Sequence, residues 1–141
     1  MTRVVFFDIG DTLVSGQQWL PGAKEAVVAL KSMKIRVGLI SNTGRLSREE
    51  LVEGFLPDDF DFGMFDEDLV MLSSEVGIEK PSLSIFMLAA QHANVSPWEV
   101  LFVAETVSET LAAQSAGIHA VRVTDPAKDY PQLVKLLQSR K

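Results

Sequence analysis

The stretch VVFFDIGDTLV, residues 4–14, carries no polar side chain until Asp8 and then offers a second acid, Asp11. An ionised group at the end of an apolar run sits where a buried segment leaves the core, in a position to act on a ligand from a fixed base. Three other places carry matching chemistry: the hydroxyl and small-residue turn Ser41-Asn42-Thr43-Gly44, Lys80 ahead of a helical pattern, and Glu105-Thr106 with Glu109 four residues on. Carboxylates, a hydroxyl and an ammonium are the parts of a magnesium-assisted phosphoryl site. A carboxylate can attack phosphorus if cations suppress the repulsion between two anions, and lysine suits that task as a point charge. Ser41 and the backbone N–H groups from Asn42 to Gly44 can donate to phosphoryl oxygens, the glycine permitting close approach.

These residues need a scaffold, and the hydropathy pattern supplies one. Residues 3–8 are β-branched and aromatic without alternation, as in a parallel strand buried on both faces. Leu20-Pro21-Gly22 opens a helix with apolar Ala26, Val27, Leu30 and Met33 at helical spacing and Pro21 in its first turn. The strand IRVGLIS ends at Ser41, and Ser47-Arg48-Glu49-Glu50 spells a capping box for a short helix to about Gly54. A strand follows near Leu69 to Leu72, then a helix over SLSIFMLAAQHA, and Ser96-Pro97-Trp98-Glu99 is a second capping box or a tight turn before VLFVAE. Glu109 to Gly117 reads as a helix closed by glycine, IHAVRV as a strand and Pro131 to Ser139 as a terminal helix. Five strands alternating with helices imply an α/β fold, a doubly wound five-stranded parallel sheet with helices on both faces. Ligands of such sheets bind beyond the carboxyl ends of the strands, where Asp8, Ser41 and Glu105 fall.

Length and composition set the bounds. The 141 residues suit one domain, residues 1–141, with no repeat or linker. A net charge of −6 disfavours a nucleic-acid partner, the absence of cysteine excludes disulfides and thiolate metal sites, and no apolar run approaches a membrane span of roughly 20 residues. A chain that enters a strand at once carries no signal peptide, so the expectation is a soluble, cytoplasmic protein with no membrane partner. Residues 57–69, PDDFDFGMFDEDL, are acidic and aromatic by turns but lack the closing glutamate of a calcium loop, and read as a solvated surface loop. His92 and His119 have no partner at ligand spacing and read as structural; Met64, Met71, Phe86, Met87 and Trp98 read as packing.

In this order FFDIGDTLV, LISNTG, GIEKPSLSIF and LFVAETVSETLAAQSAG resemble the four motifs of the haloacid dehalogenase superfamily of phosphohydrolases, over nearly the whole chain. The resemblance implies that Asp8 is a nucleophile forming an aspartyl phosphate, that Ser41, with Asn42 beside it, binds the phosphoryl oxygens, and that Lys80 neutralises charge on Asp8 and the phosphate. It further implies Mg²⁺ held by Asp8, the Gly10 carbonyl and Glu105, with Glu109 in support.

The chain departs from the family pattern at three positions. Where family phosphatases place an acid–base aspartate two residues after the nucleophile, this chain has Gly10, so the backbone metal ligand is kept and the proton shuttle lost. Asp11 is an imperfect substitute: in an extended backbone it points away from the face shared by positions 8 and 10, although a turn at Gly10 would swing it back. Glu105 and Glu109 replace aspartates, and an extra methylene must be accommodated around an ion that demands near-octahedral geometry. The intervals between Asp8, Ser41 and Lys80 leave room for a hairpin-like flap but not for a cap domain, so the site is open. It would suit a phosphorylated small molecule or a macromolecular substrate, or be covered by a second copy in a homo-oligomer. Two functions compete: a slow Mg²⁺-dependent phosphohydrolase or phosphotransferase, and a catalytically silent domain that binds a phosphorylated ligand or a protein partner. A receiver domain fits less well, since its phosphorylated aspartate belongs after the third strand, and a dinucleotide fold lacks its G-x-G-x-x-G.

Overall fold

The first strand, β1 (Val4–Phe7), has every residue buried, and its side chains alternate between two cores. Val5 and Phe7 pack on one face of the sheet, Val4 and Phe6 on the other. The computed structural model describes residues 1–139, so the last two residues of the expected 1–141 unit lie outside the described residues. After β1 the chain forms a hairpin, β2 (Val14–Ser15) and β3 (Gln18–Trp19), then α1 (Ala23–Ser32), β4 (Arg36–Ser41) and α2 (Arg48–Gly54). It continues through β5 (Val70–Leu72), α3 (Ser73–Val76), α4 (Leu83–Ala93), β6 (Val100–Ala104), α5 (Val107–Ser115), β7 (His119–Arg122) and α6 (Pro126–Ser139).

The main sheet has the order β5-β4-β1-β6-β7, all its pairs parallel, so β1 lies at its centre. Helices α1 and α6 pack together beneath the face that carries Phe7, while α4 and α5 cover the face that carries Phe6. This is the doubly wound five-stranded sheet expected from the alternation of elements. The chain turns one way from β1 to β4 and the other way to β6, and the crevice at that reversal is where a ligand of an open parallel sheet binds. Between Asp8 and Ser41 the chain holds the flap hairpin and α1; between Ser41 and Lys80 it holds α2, two 3₁₀ turns, β5 and α3. No cap domain is inserted in either interval.

Local chemistry accounts for the boundaries. The Ser47 capping box is complete, with the Ser47 hydroxyl accepting from the Glu50 N–H and the Glu50 carboxylate from the Ser47 N–H. Ser96 makes no side-chain cap, and Pro97–Glu99 is a single 3₁₀ turn, so the tight-turn alternative is the one realised. Helix α1 starts at Ala23, so Pro21 precedes it instead of sitting in its first turn, and α5 starts at Val107, two residues before the expected Glu109. Two further expectations need correction. The terminal helix starts at Pro126 and keeps Pro131 inside it, because Asp129 Oδ2 accepts the N–H groups of Thr124 and Asp125 and closes the helix start five residues early. The 57–69 segment is not merely a solvated loop: Phe60, Phe65 and Leu69 are buried, and Phe60 stacks on Trp19 of the flap at 5.2 Å between ring centroids. Its acids face water while its aromatic residues brace the hairpin, with Asp59 accepting from Trp19 Nε1 and pairing with Lys24. Of the residues read as packing, Met71 and Phe86 are in the core, whereas Met87 and Trp98 are exposed.

Gly38, in the middle of β4, is required by space. A Cβ there would lie 2.5 Å from the Leu69 carbonyl oxygen and 2.7 Å from the Phe6 ring, and the first is backbone that cannot step aside. Gly38→Ala is therefore expected to destabilise the fold by roughly 1–3 kcal/mol or more through overpacking, measured as a shift of the urea midpoint.

Candidate functional site

Asp8 leaves β1 with its N–H still bonded to the Val103 carbonyl at 3.0 Å, so the carboxylate is fixed by the sheet itself. Its Oδ1 accepts the Ile9 N–H and the Lys80 ammonium, both at 2.8 Å. Oδ2 enters no hydrogen bond among the described residues and is not sealed from solvent, which leaves one edge of the carboxylate free. Beyond it the chain wraps around the Ile9 carbonyl, which accepts the N–H groups of Thr12, Leu13 and Val14. Asp11 turns this loop, with φ of 57°, and Gly10 does not have positive φ. The reversal expected at Gly10 thus lies one residue later, and the Gly10 carbonyl accepts none of the loop's hydrogen bonds.

Lys80 is the hub. Its side chain is 1% exposed, yet Nζ reaches Asp8 and Glu109 and lies 5.4 Å from the centre of the Phe102 ring, within cation–π range. Its backbone is held by Asn42, whose Nδ2 donates to the Lys80 carbonyl at 3.0 Å and whose Oδ1 accepts the Lys80 N–H at 2.8 Å. The Asn42 amide, expected beside the phosphate, is therefore engaged on the lysine's own backbone. Thr43 is likewise locked: its N–H donates to Ser73 Oγ at 2.8 Å, and its hydroxyl bonds Ser74. Ser41 ends β4 buried at the floor of the crevice. Ser41, Lys80 and Asp8 come from the ends of β4, the loop before α4 and β1, and the parallel register brings them to one edge.

Both oxygens of Glu109 are committed, Oε1 to Lys80 and Oε2 to the Thr106 hydroxyl at 2.6 Å. Expected as a supporting metal ligand, it is instead placed as the second anchor of the lysine. Glu105 stands at the end of β6, half-buried and without an ion pair among the described residues. Among the described residues no three carboxylates or imidazoles gather closely enough to hold an ion by themselves. Magnesium does not require that, since it usually keeps several waters and takes one or two carboxylates plus substrate phosphate. The free edge of Asp8, the unengaged Gly10 carbonyl and Glu105 fit such a sparse set.

Two contacts were not visible in the sequence: the Ser73-Ser74 clamp on Thr43 and the hydrogen bond from the buried Tyr130 hydroxyl in α6 to the Thr12 carbonyl. Burial, aided by the Asp8 charge, raises the Tyr130 phenol well above its ordinary value, so it stays a donor. His92 Nδ1 lies 3.3 Å from the Asp68 carbonyl, and His119 is exposed on β7.

Burial raises the Asp8 carboxyl above its ordinary value, with the Glu109 charge adding to it, against the opposing pull of Lys80 and the Ile9 N–H. Between the ordinary and the raised value the folded state binds more protons than the unfolded one, so Asp8 lowers stability as pH rises through that interval. In metal-free buffer Asp8→Asn, which keeps the shape without the charge, is expected to be more stable than the parent at pH 7, the gap closing in acid. A variant with a lower urea midpoint at pH 7 would mean that the Lys80 pair outweighs burial.

Comparisons with known proteins bear on the family and the fold. A family model described as haloacid dehalogenase-like hydrolase matches residues 5–80, which takes in Asp8, Ser41 and Lys80. The haloacid dehalogenase-like hydrolase domain-containing protein 3 of Xenopus laevis is 32% identical over 102 residues, 72% of this chain and 39% of that protein. A phosphorylated carbohydrates phosphatase of Thermotoga maritima is 29% identical over 107 residues, 72% of this chain and 44% of that protein. The chain thus spans less than half the length of these curated relatives. A HAD-superfamily hydrolase of subfamily IA from Geobacter sulfurreducens superposes with a TM-score of 0.73 over 96% of this chain and 100% of that one, at 17% identity, a likeness of fold.

Proposed function

Because this chain belongs to the haloacid dehalogenase-like hydrolase family, we propose that it is a magnesium-assisted phosphohydrolase that works through an aspartyl phosphate at Asp8 and favours leaving groups that need no proton. The observation that carries this reading is the Asp8 carboxylate itself, held by Lys80 and the Ile9 N–H just beyond the end of the central strand. In the first step a carboxylate oxygen of Asp8 bonds to phosphorus while the ester oxygen departs with its electron pair. Ser41 and the Asn42 N–H steady the phosphoryl oxygens, and Lys80, anchored by Glu109 and Asn42, keeps Asp8 oriented. Water then cleaves the acyl phosphate, returning the carboxylate and releasing phosphate and a proton.

Asp8, Lys80 and Glu109 together carry one net negative charge, so an arriving phosphate meets repulsion that the lysine alone does not cancel. Mg²⁺ held by Asp8, the Gly10 carbonyl and Glu105 would supply that charge neutralisation. Added Mg²⁺ is expected to raise the melting temperature of the parent and not that of Asp8→Asn; indifference of the parent to tens of millimolar Mg²⁺ would remove the metal from the reading.

Position 10 decides which esters react. An acyl or nitrophenyl phosphate departs unprotonated, whereas an alkyl phosphate departs as a poor alkoxide, and a positioned general acid contributes roughly 10²–10⁴-fold. A Cβ on Gly10 would meet nothing within 4 Å and the backbone there is not left-handed, so Gly10→Asp should fold as the parent does. It is expected to raise kcat/KM for glycerol phosphate by at least about tenfold, with acetyl phosphate little affected. A folded Gly10→Asp variant that gains nothing on any ester would favour the alternative, a silent domain that binds a phosphorylated ligand.

A further inference from the structure

The crevice opens on one side into a cleft of about 310 Å³ between the β2–β3 hairpin and α2. Gly10 and Asp11, in the loop that follows Asp8, line it together with Ser41 and Asn42, while Asp8 itself does not, so it adjoins the place where a phosphoryl group on Asp8 would sit. The rest of the wall is mainly apolar: Ile9 and Val14 on the hairpin side, Leu46, Leu51, Phe55 and Leu56 opposite. Among the described residues no lysine, arginine or histidine lines it. A leaving group with a second phosphate or a carboxylate would lose hydration there with no cation to receive it, and would meet the charge of Asp11. The cleft also has a roof. Gly16 and Gln17, with φ of 58° and 62°, form the two-residue turn that matches strand twist, and Gln17 Nε2 donates to the Glu53 carbonyl of α2 at 3.2 Å. Phe55 stands at the rim 54% exposed, a ring face available to another ring.

We propose that the substrates are aryl phosphate monoesters, with an uncharged aromatic leaving group of one or two rings seated between the hairpin and α2; the inference rests on the phosphohydrolase reading and narrows it. Size agrees, since an apolar cavity of about 150 Å³ already holds benzene. Gly10 supports it independently. A phenol has a pKa of about 10, so the aryl oxygen leaves phosphorus with its electron pair as an aryloxide, without a donor at position 10, and collects its proton from water afterwards. Asp8 forms the new bond to phosphorus as that bond breaks, and hydrolysis restores it as above.

The test separates the cleft from the chemistry. Binding of 1-naphthyl phosphate and of glycerol 3-phosphate to Asp8→Asn is measured by calorimetry, and the parent is assayed on both and on acetyl phosphate with Mg²⁺. The naphthyl ester should bind at least about tenfold more tightly. Phe55→Ala and Leu46→Asn, each made in that background at a site that is not fully buried, should each reduce the ratio at least about threefold, while Val28→Ala on the exposed face of α1 leaves it unchanged. Equal binding of the two esters, or a ratio indifferent to both cleft variants, overturns the aryl assignment whatever the turnover. A parent that hydrolyses none of the three phosphates overturns the phosphohydrolase reading, and the binding ratio still decides the cleft.

Discussion

The structure depends on one buried cation. Lys80 sits between Asp8 and Glu109, with a phenylalanine ring beside it and almost no contact with water. Removing three charges from solvent is costly, and such groups are weak sources of stability even when well paired. The surrounding architecture keeps this arrangement from relaxing. The central strand delivers Asp8, Asn42 grips the lysine's backbone, two serines after β5 hold the neighbouring threonine, and Thr106 steadies Glu109. So many hydrogen bonds converge on this cluster that its geometry is fixed from several elements at once.

The departure at position 10 is chemical and not architectural. The loop's left-handed residue is Asp11, while Gly10 has an ordinary backbone and open space where a side chain would go. A glycine that the backbone does not need and that no neighbour excludes leaves the scaffold intact and changes only what can give or take a proton. The absence of an inserted cap has a similar meaning. The flap hairpin, braced by Trp19 on Phe60 and latched by Gln17 onto α2, supplies from within the core domain a wall beside the Asp8 loop.

The strands and helices were legible because burial leaves a periodic record: the unbroken apolar runs of β1, β4 and β6 and the 3.6-residue spacing in α1 and α4 give the doubly wound sheet without further information. The ends of those strands were legible too, which is why Asp8 and Ser41 stand out. The partners of those residues were not. Asn42 and Lys80 lie 38 residues apart and Thr43 and Ser73 lie 30 apart, and nothing periodic couples them. Pro131 misled for a physical reason, since proline at a helix start and proline tolerated in a second turn look alike until the capping aspartate is seen to act upstream.

The hydrogen bond from Tyr130 to the Thr12 carbonyl ties the loop behind Asp8 to the helix that closes the described chain, across 118 residues. A ribosome therefore makes the Asp8 loop first and its fastener long afterwards. On a nascent chain the first strand, the flap and even the lysine loop are present while the loop still lacks its outer support. Chaperones and proteases that meet the chain before α6 emerges encounter a site whose parts are present but whose fastener has not yet been made.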